Sequence, residues 1–245
     1  MRPFVDLRVD TTLEDIAMRT PGGLGALQAI GLHRLPLDQT PLVAACERLG
    51  MEPATALRLL AEAAREARGR GEVPMAELDA TELVGRIARE HHARCFESAN
   101  LALTLARRLA PGGHPVLATV VELVETLVVE LHAHMDREER TVLSRVRALV
   151  RGTVVKGARP GDLERGMQAM ELDHQATALL LDELRARADG FRAPASASQL
   201  WRGLYELLEE LEADIRRAIW VEERLFFPLV RELEAKHARL GRRST

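Results

Sequence analysis

The chain has 245 residues, of which 47% are apolar, 29% charged and 3% aromatic, and a net charge of -3. That length allows one large domain or two small ones with a sizeable core, and the balanced charge gives no electrostatic case for nucleic acid or an anionic membrane as a partner. Leu, Ala, Arg and Glu dominate, which favours helices because these side chains lose little rotamer freedom there.

Two cysteines, Cys46 and Cys95, stand without CxxC spacing, so neither a disulfide framework nor a zinc ribbon is expected. The first residues, Met1-Arg2-Pro3-Phe4-Val5-Asp6, carry charge where a signal peptide needs an apolar run. The longest apolar runs are too short and too interrupted to span a bilayer. The expected location is the cytoplasm.

In chain order, the first seventy residues read as short helices. Thr11-Thr12-Leu13-Glu14 resembles a capping box at the first. Pro21-Gly22-Gly23 breaks the chain before a second helix, which ends near Gly31. Thr40-Pro41 places a proline just inside a third, ended by Gly50. Pro53 opens a fourth, which runs to about Arg68. Two glycines and a proline in Gly69-Arg70-Gly71-Glu72-Val73-Pro74 predict a linker. A small helical domain is therefore expected over 1–70 and a larger one over 78–240. The larger one reads as four long helices over about 79–109, 115–151, 162–189 and 199–238, with a looser segment over 152–161. Four long helices with short joins specify an antiparallel four-helix bundle and an all-α fold.

Each long helix carries a polar residue on its apolar face. On the second, His134 and Glu138 are four apart and share a stripe with Leu127, Leu131 and Val142. On the first, His92 lies among Val84, Ala88, Ala99 and Leu103. On the third, His174 keeps helical spacing with Met167, Met170 and Leu181. On the fourth, Glu222 follows Leu208, Leu211 and Ile215 and precedes Leu225 and Leu229. A single inward histidine is more often a hydrogen-bonded core residue than a ligand. Three histidines and two carboxylates converging from four helices instead predict a metal site, because such groups are costly to bury unpaired. Imidazole with carboxylate suits iron, with manganese or zinc as alternatives. His33, His91, His114, His132 and His237 fit the pattern less well and are expected to be solvated or to stand behind ligands.

These motifs resemble those of the repair-of-iron-centres family, di-iron hemerythrin-like proteins with a small N-terminal helical domain. The resemblance covers nearly the whole chain. It is carried by Glu90-His91-His92-Ala93-Arg94, by His134-Met135-Asp136-Arg137-Glu138-Glu139, by Met170-Glu171-Leu172-Asp173-His174, and by Glu222 through Phe226-Phe227-Pro228. It implies His92, His134, His174, Glu138 and Glu222 as ligands. One iron would take histidines from the first two helices and the other from the last two, with bridging carboxylates between them.

The sequence departs from that pattern at three places. The family's fourth histidine falls on Ala218, its Cys-Cys pair falls on Leu35-Pro36, and the Leu-Phe-Pro expected after the second motif reads Val142-Leu143-Ser144. The loss at Ala218 predicts an asymmetric site, with one metal firmly held and one labile or absent. It opens room for water or a small ligand such as oxygen or nitric oxide, unless Trp220 or a leucine closes the gap. Cys95, one turn from His92, reads as a substitute ligand, a redox-sensitive thiol or a small apolar filler. Glu130 and Glu171, one turn before His134 and His174, read as outer carboxylates, as late substitutes or as solvated charges.

The resemblance implies protection or repair of iron–sulfur clusters after nitrosative or oxidative damage, with iron–sulfur proteins as partners. Two other readings stand beside it: a metal- or diatomic-sensing module that reports through the N-terminal domain, and a metal-free bundle kept for protein interaction. No nucleophile motif, phosphate loop or dinucleotide fingerprint points to a catalytic enzyme.

Overall fold

The computed structural model describes residues 6–112, 114–153, 159 and 161–241, without the side chains of residues 90 and 238–241. The chain divides into two compact units, Met1–Asp79 and Ala80–Thr245. Among the described residues there is no strand, only an isolated bridge between Thr12 and Pro41. None of the described helices is long and apolar enough to cross a membrane.

The first unit contains α1 (Leu13–Arg19), α2 (Gly23–Ala29), α3 (Leu42–Arg48) and α4 (Pro53–Gly69). Thr12, rather than Thr11, caps α1 by accepting from the Asp15 amide, an arrangement worth about 1 kcal/mol. Pro41 is the residue before α3, not its first helical residue. The α1–α2 corner requires glycine twice. Gly22 has φ +66°, and a Cβ on Gly23 would lie 2.0 Å from the Ile16 carbonyl oxygen. Leu13, Ile16, Leu27, Leu32, Leu42 and Leu60 fill this unit's core. His33 is buried there, contrary to the solvated reading.

The second unit is the helical bundle. Its helices are α5 (Ala80–Arg86), α6 (Ala93–Leu109), α7 (Pro115–Glu138), α8 (Ser144–Val150), α9 (Asp162–Arg187), α10 (Gln199–Val221) and α11 (Phe227–Gly241). Three π-helical segments join these pieces: Ile87–His92 between α5 and α6, Glu139–Leu143 between α7 and α8, and Glu222–Phe226 between α10 and α11. The first, second and fourth long helices are thus each continuous but locally underwound by one wide π turn. The expected loose segment over 152–161 lies mostly outside the described residues.

Ala99, Ala102 and Ala106 form a small-residue stripe on α6, which brings that helix close to α7 and α10. Val120, Val124 and Leu127 of α7, Leu181 and Leu184 of α9, and Leu204, Leu208 and Leu211 of α10 complete this apolar layer. A second layer is built from Val142, Val146, Met167, Met170, Phe226 and Phe227. Following each helix from one layer to the other leads through the polar positions: 92 on the first, 134 and 138 on the second, 174 on the third and 222 on the fourth. The helical register therefore holds all five between two hydrophobic layers.

Candidate metal centre

Helical spacing aims His134 and Glu138 from one face of α7, and the π turns aim the remaining carboxylate and imidazole. His92 is the last residue of the first π segment, Glu138 immediately precedes the second, and Glu222 opens the third. A π turn inserts an extra residue into the helical ladder and is frequent at functional sites. His174 comes from regular α-helix in α9.

The side chains meet. His92 Nε2 lies 2.9 Å from Glu138 Oε2 and 3.8 Å from Glu222 Oε1. His174 Nε2 lies 2.9 Å from Glu222 Oε2, and His134 Nε2 lies 4.0 Å from Glu138 Oε2. The potential ligand atoms fall into two groups, His92 with Glu138 and Glu222, and His134 with His174 and Glu222. Glu222 belongs to both. The distances therefore pair His134 with His174, whereas the family pattern pairs it with His92.

Glu138 is fully buried and Glu222 nearly so. Burial and the neighbouring Glu222 push the Glu138 carboxyl up to about 7, with His92 opposing. Burial also raises Glu222, but contacts with His174 and His92 outweigh it and leave that carboxyl well below its ordinary range. Burial disfavours protonation of His92, yet Glu138 and Glu222 prevail and raise it to about 10. His174 is raised to about 9 in the same way, against burial, by Glu222 and Glu223. Burial lowers His134.

These contacts are close without being aligned as hydrogen bonds. His92 Nε2, His174 Nε2, both Glu138 oxygens and Glu222 Oε2 are buried with no hydrogen-bond partner of good geometry. Native interiors satisfy nearly all such groups. Five donor atoms converging without bonding one another is the arrangement a cation satisfies, and the imidazole–carboxylate mixture suits iron.

The chain matches the family described as "Hemerythrin HHE cation binding domain" over residues 84–190 and 165–244, which together cover most of the second unit. It is a member of the hemerythrin family. Among curated relatives, the iron-sulfur cluster repair protein ScdA of Staphylococcus haemolyticus is 24% identical over 160 residues, covering 64% of this chain and 70% of that protein. The iron-sulfur cluster repair protein YtfE of Edwardsiella ictaluri is 30% identical over 105 residues, 43% of each chain. That of Musicola paradisiaca is 30% identical over 104 residues, 42% of this chain and 43% of its own. The chain thus spans less than half the length of the two YtfE relatives.

In this hemerythrin-family chain Glu130 and Glu171 follow the solvated alternative and do not stand behind the histidines. Glu130 is exposed, and Glu171 pairs with Arg231 at 3.2 Å. Instead Glu223 lies 2.9 Å from His174 Nδ1, and Asp173, itself bound by Arg137, lies 3.5 Å from His134 Nδ1. Both are sequence neighbours of a site residue, a place that a search by whole helical turns passes over. His91 is buried rather than solvated; burial lowers it to about 4, and it belongs to neither ligand group. His114 and His132 are exposed, edge-on to Trp201 and stacked on Phe96.

Ala218 lines a cavity of about 20 Å³ together with His92, His134, His174 and Glu222. That is enough for one water-sized molecule, and Trp220 is not among its lining residues. Cys95 lines the same cavity. Burial first, then the charge of Asp214, push its thiol up to about 12, so in the metal-free protein it is a neutral, compact side chain. Cys95 joins neither ligand group.

Proposed function

We propose that this hemerythrin-family protein binds iron through His92, Glu138, Glu222, His134 and His174, and that it acts in iron–sulfur cluster repair or the response to nitrosative and oxidative stress. The observation that carries the reading is that five buried nitrogen and oxygen atoms of His92, His174, Glu138 and Glu222 face one another unsatisfied, with His134 grouped beside them. Without a cation their burial is offset only by the His92–Glu138 and His174–Glu222 pairs, which leave the second Glu138 oxygen unpartnered.

The two halves of the site differ in chemistry. His92, Glu138 and Glu222 form a carboxylate-rich half, and His134, His174 and the shared Glu222 an imidazole-rich one. We assign the firm cation to the first, where two carboxylates supply the charge, and the labile one to the second, where the family's further imidazole is replaced by Ala218. When bound, iron would supply redox and Lewis-acid chemistry and a place for a diatomic ligand. The chain's own residues hold the donors in register, exclude bulk water with the Met167, Met170, Phe226 and Phe227 layer, and orient the His174 ring through Glu223, while Asp173 faces His134 Nδ1 at 3.5 Å. The similarity to proteins named for iron–sulfur cluster repair supports the repair role. The Leu35-Pro36 dipeptide, in place of the family's paired thiols, instead favours a sensing or binding role in which the bundle retains a metal that the first unit does not serve.

Elemental analysis of the anaerobically purified chain, with an optical spectrum, tests the proposal. Iron near two per chain supports occupation of both groups, and iron near one supports the asymmetric site. No iron after reconstitution with ferrous salt rejects iron binding and leaves an interaction module. The repair role is tested separately, by recovery of an iron–sulfur enzyme inactivated with nitric oxide when the iron-loaded chain is added. No recovery above that given by equimolar free ferrous iron rejects it.

A further inference from the structure

A second concavity lies away from the metal centre, in the groove between α5 and α8, with a volume of about 270 Å³. Its floor is apolar: Val84 and Val146 are almost fully buried beneath it, and Ala88 contributes a methyl group. Val150 stands on the rim with 42% of its surface exposed, a large apolar side chain left open beside the cavity.

The rest of the rim is cationic. Arg89, Arg147 and Arg151 all line the groove. Arg147 is engaged by Glu139. Among the described residues, no carboxylate pairs with Arg89 or Arg151.

Arg89 packs against a glycine of its own helix. A Cβ on Gly85 would lie 2.8 Å from Arg89 Nη2 and 3.0 Å from Nη1. The guanidinium therefore lies on the bare backbone at Gly85, one turn back along the groove wall, where an added Cβ would push it aside. A glycine inside a helix is unfavourable for helix stability. Here it lets Arg89, with no carboxylate partner among the described residues, lie at the mouth of an apolar cavity.

We propose that this groove binds a small amphiphilic oxyanion, a carboxylate or phosphate monoester on a short hydrocarbon chain. The head group lies between Arg89 and Arg151, whose planar forks match either oxyanion. The hydrocarbon lies on Val84, Ala88 and Val146 and covers Val150. The volume is at the small end for ligand pockets and far above the space one water needs. The site is independent of the iron reading.

Titration calorimetry of the full chain tests it with octanoate and monooctyl phosphate as probes, and with inorganic phosphate and 1-octanol as head-only and tail-only controls. Saturable binding of at least one amphiphile is expected, about tenfold or more tighter than either control. The double variant Arg89→Gln/Arg151→Gln should weaken it by about tenfold or more, as expected for loss of charge-assisted hydrogen bonds. Gly85→Ala, which favours the helix and removes no charge, should also weaken it, because it unseats Arg89. Preference for octanoate or for the phosphate ester identifies the head group. No saturable binding of either amphiphile overturns the proposal. So does inorganic phosphate binding as tightly as the ester, or binding unchanged in both variants.

Discussion

Replacing Glu138 by Gln separates a metal ligand from a structural core residue. Glu138 is completely buried, and its carboxyl is raised to about 7 by burial and by Glu222. A carboxyl raised in the fold ionises at a cost, so its contribution above its ordinary pKa is destabilising, and the cost grows as pH rises toward the folded value. The neutral, nearly isosteric amide removes that cost. His92 retains Glu222 at 3.8 Å. The loss of the closer Glu138 partner of His92 opposes that gain, so metal-free Glu138→Gln should melt close to the parent at about pH 8. The response to metal should differ sharply. A cation at one hundred times its dissociation constant stabilises the parent by about 2.7 kcal/mol, which for a domain of this size raises Tm by about 5–11 °C. Glu138→Gln should lose most of that rise. Calorimetric melts with and without ferrous iron under argon give all four numbers. A variant that melts well below the metal-free parent, or that keeps the full iron-dependent rise, refutes the assignment.

Three further outcomes are expected. Ala218→His, whose side chain points at the cavity shared by His92, His134 and His174, should raise iron content toward two per chain by elemental analysis; unchanged content would place the added ring outside the site. Glu223→Gln should weaken metal affinity by about 10–100-fold in a chelator competition with little change in the metal-free melt, since Glu223 is half-exposed but bonds His174 Nδ1. Because His92 and His174 are raised to about 10 and 9, both are protonated in the metal-free protein at neutral pH, and a cation must displace those protons. Metal affinity should rise with pH, and metal addition should acidify a weakly buffered solution. The raised values stabilise the metal-free fold fully below the ordinary imidazole pKa of 6.5, and that stabilisation is lost progressively as pH climbs from there through about 9 to 10. The metal-free melt should therefore fall in that window, and a flat profile would contradict the His92–Glu138 and His174–Glu222 contacts.

Much of the site was legible because helical periodicity is a property of sequence. His134 and Glu138 share a face by spacing alone, and the apolar residues around His92, His174 and Glu222 show which face is inward. The outer carboxylates were not legible. Glu130 and Glu171 sit one full turn from their histidines, the spacing that makes neighbours on a helix surface. Yet the groups that reach the Nδ1 atoms come from elsewhere: Asp173 from α9 to His134 on α7, and Glu223 from the π segment after α10 to His174 on α9. Contacts across helices depend on rotation and height between neighbours, which no single helix encodes. The burial of His33 and His91 was missed for a related reason, since each lies just outside a regular α-helical face: one in a 3-10 turn and the other in a π turn.

The sequence by itself determined the all-helical architecture, the glycine and proline punctuation, and which five polar residues face inward, because each follows from local propensity and a 3.6-residue period. Only the tertiary structure decided how those five are grouped, which carboxylates stand behind them, and that the position of Ala218 remains a cavity instead of being filled. Those outcomes depend on three π turns and on the close approach of four helices. Both are set by packing between distant segments, where a fraction of a turn or an ångström of separation decides which atoms meet.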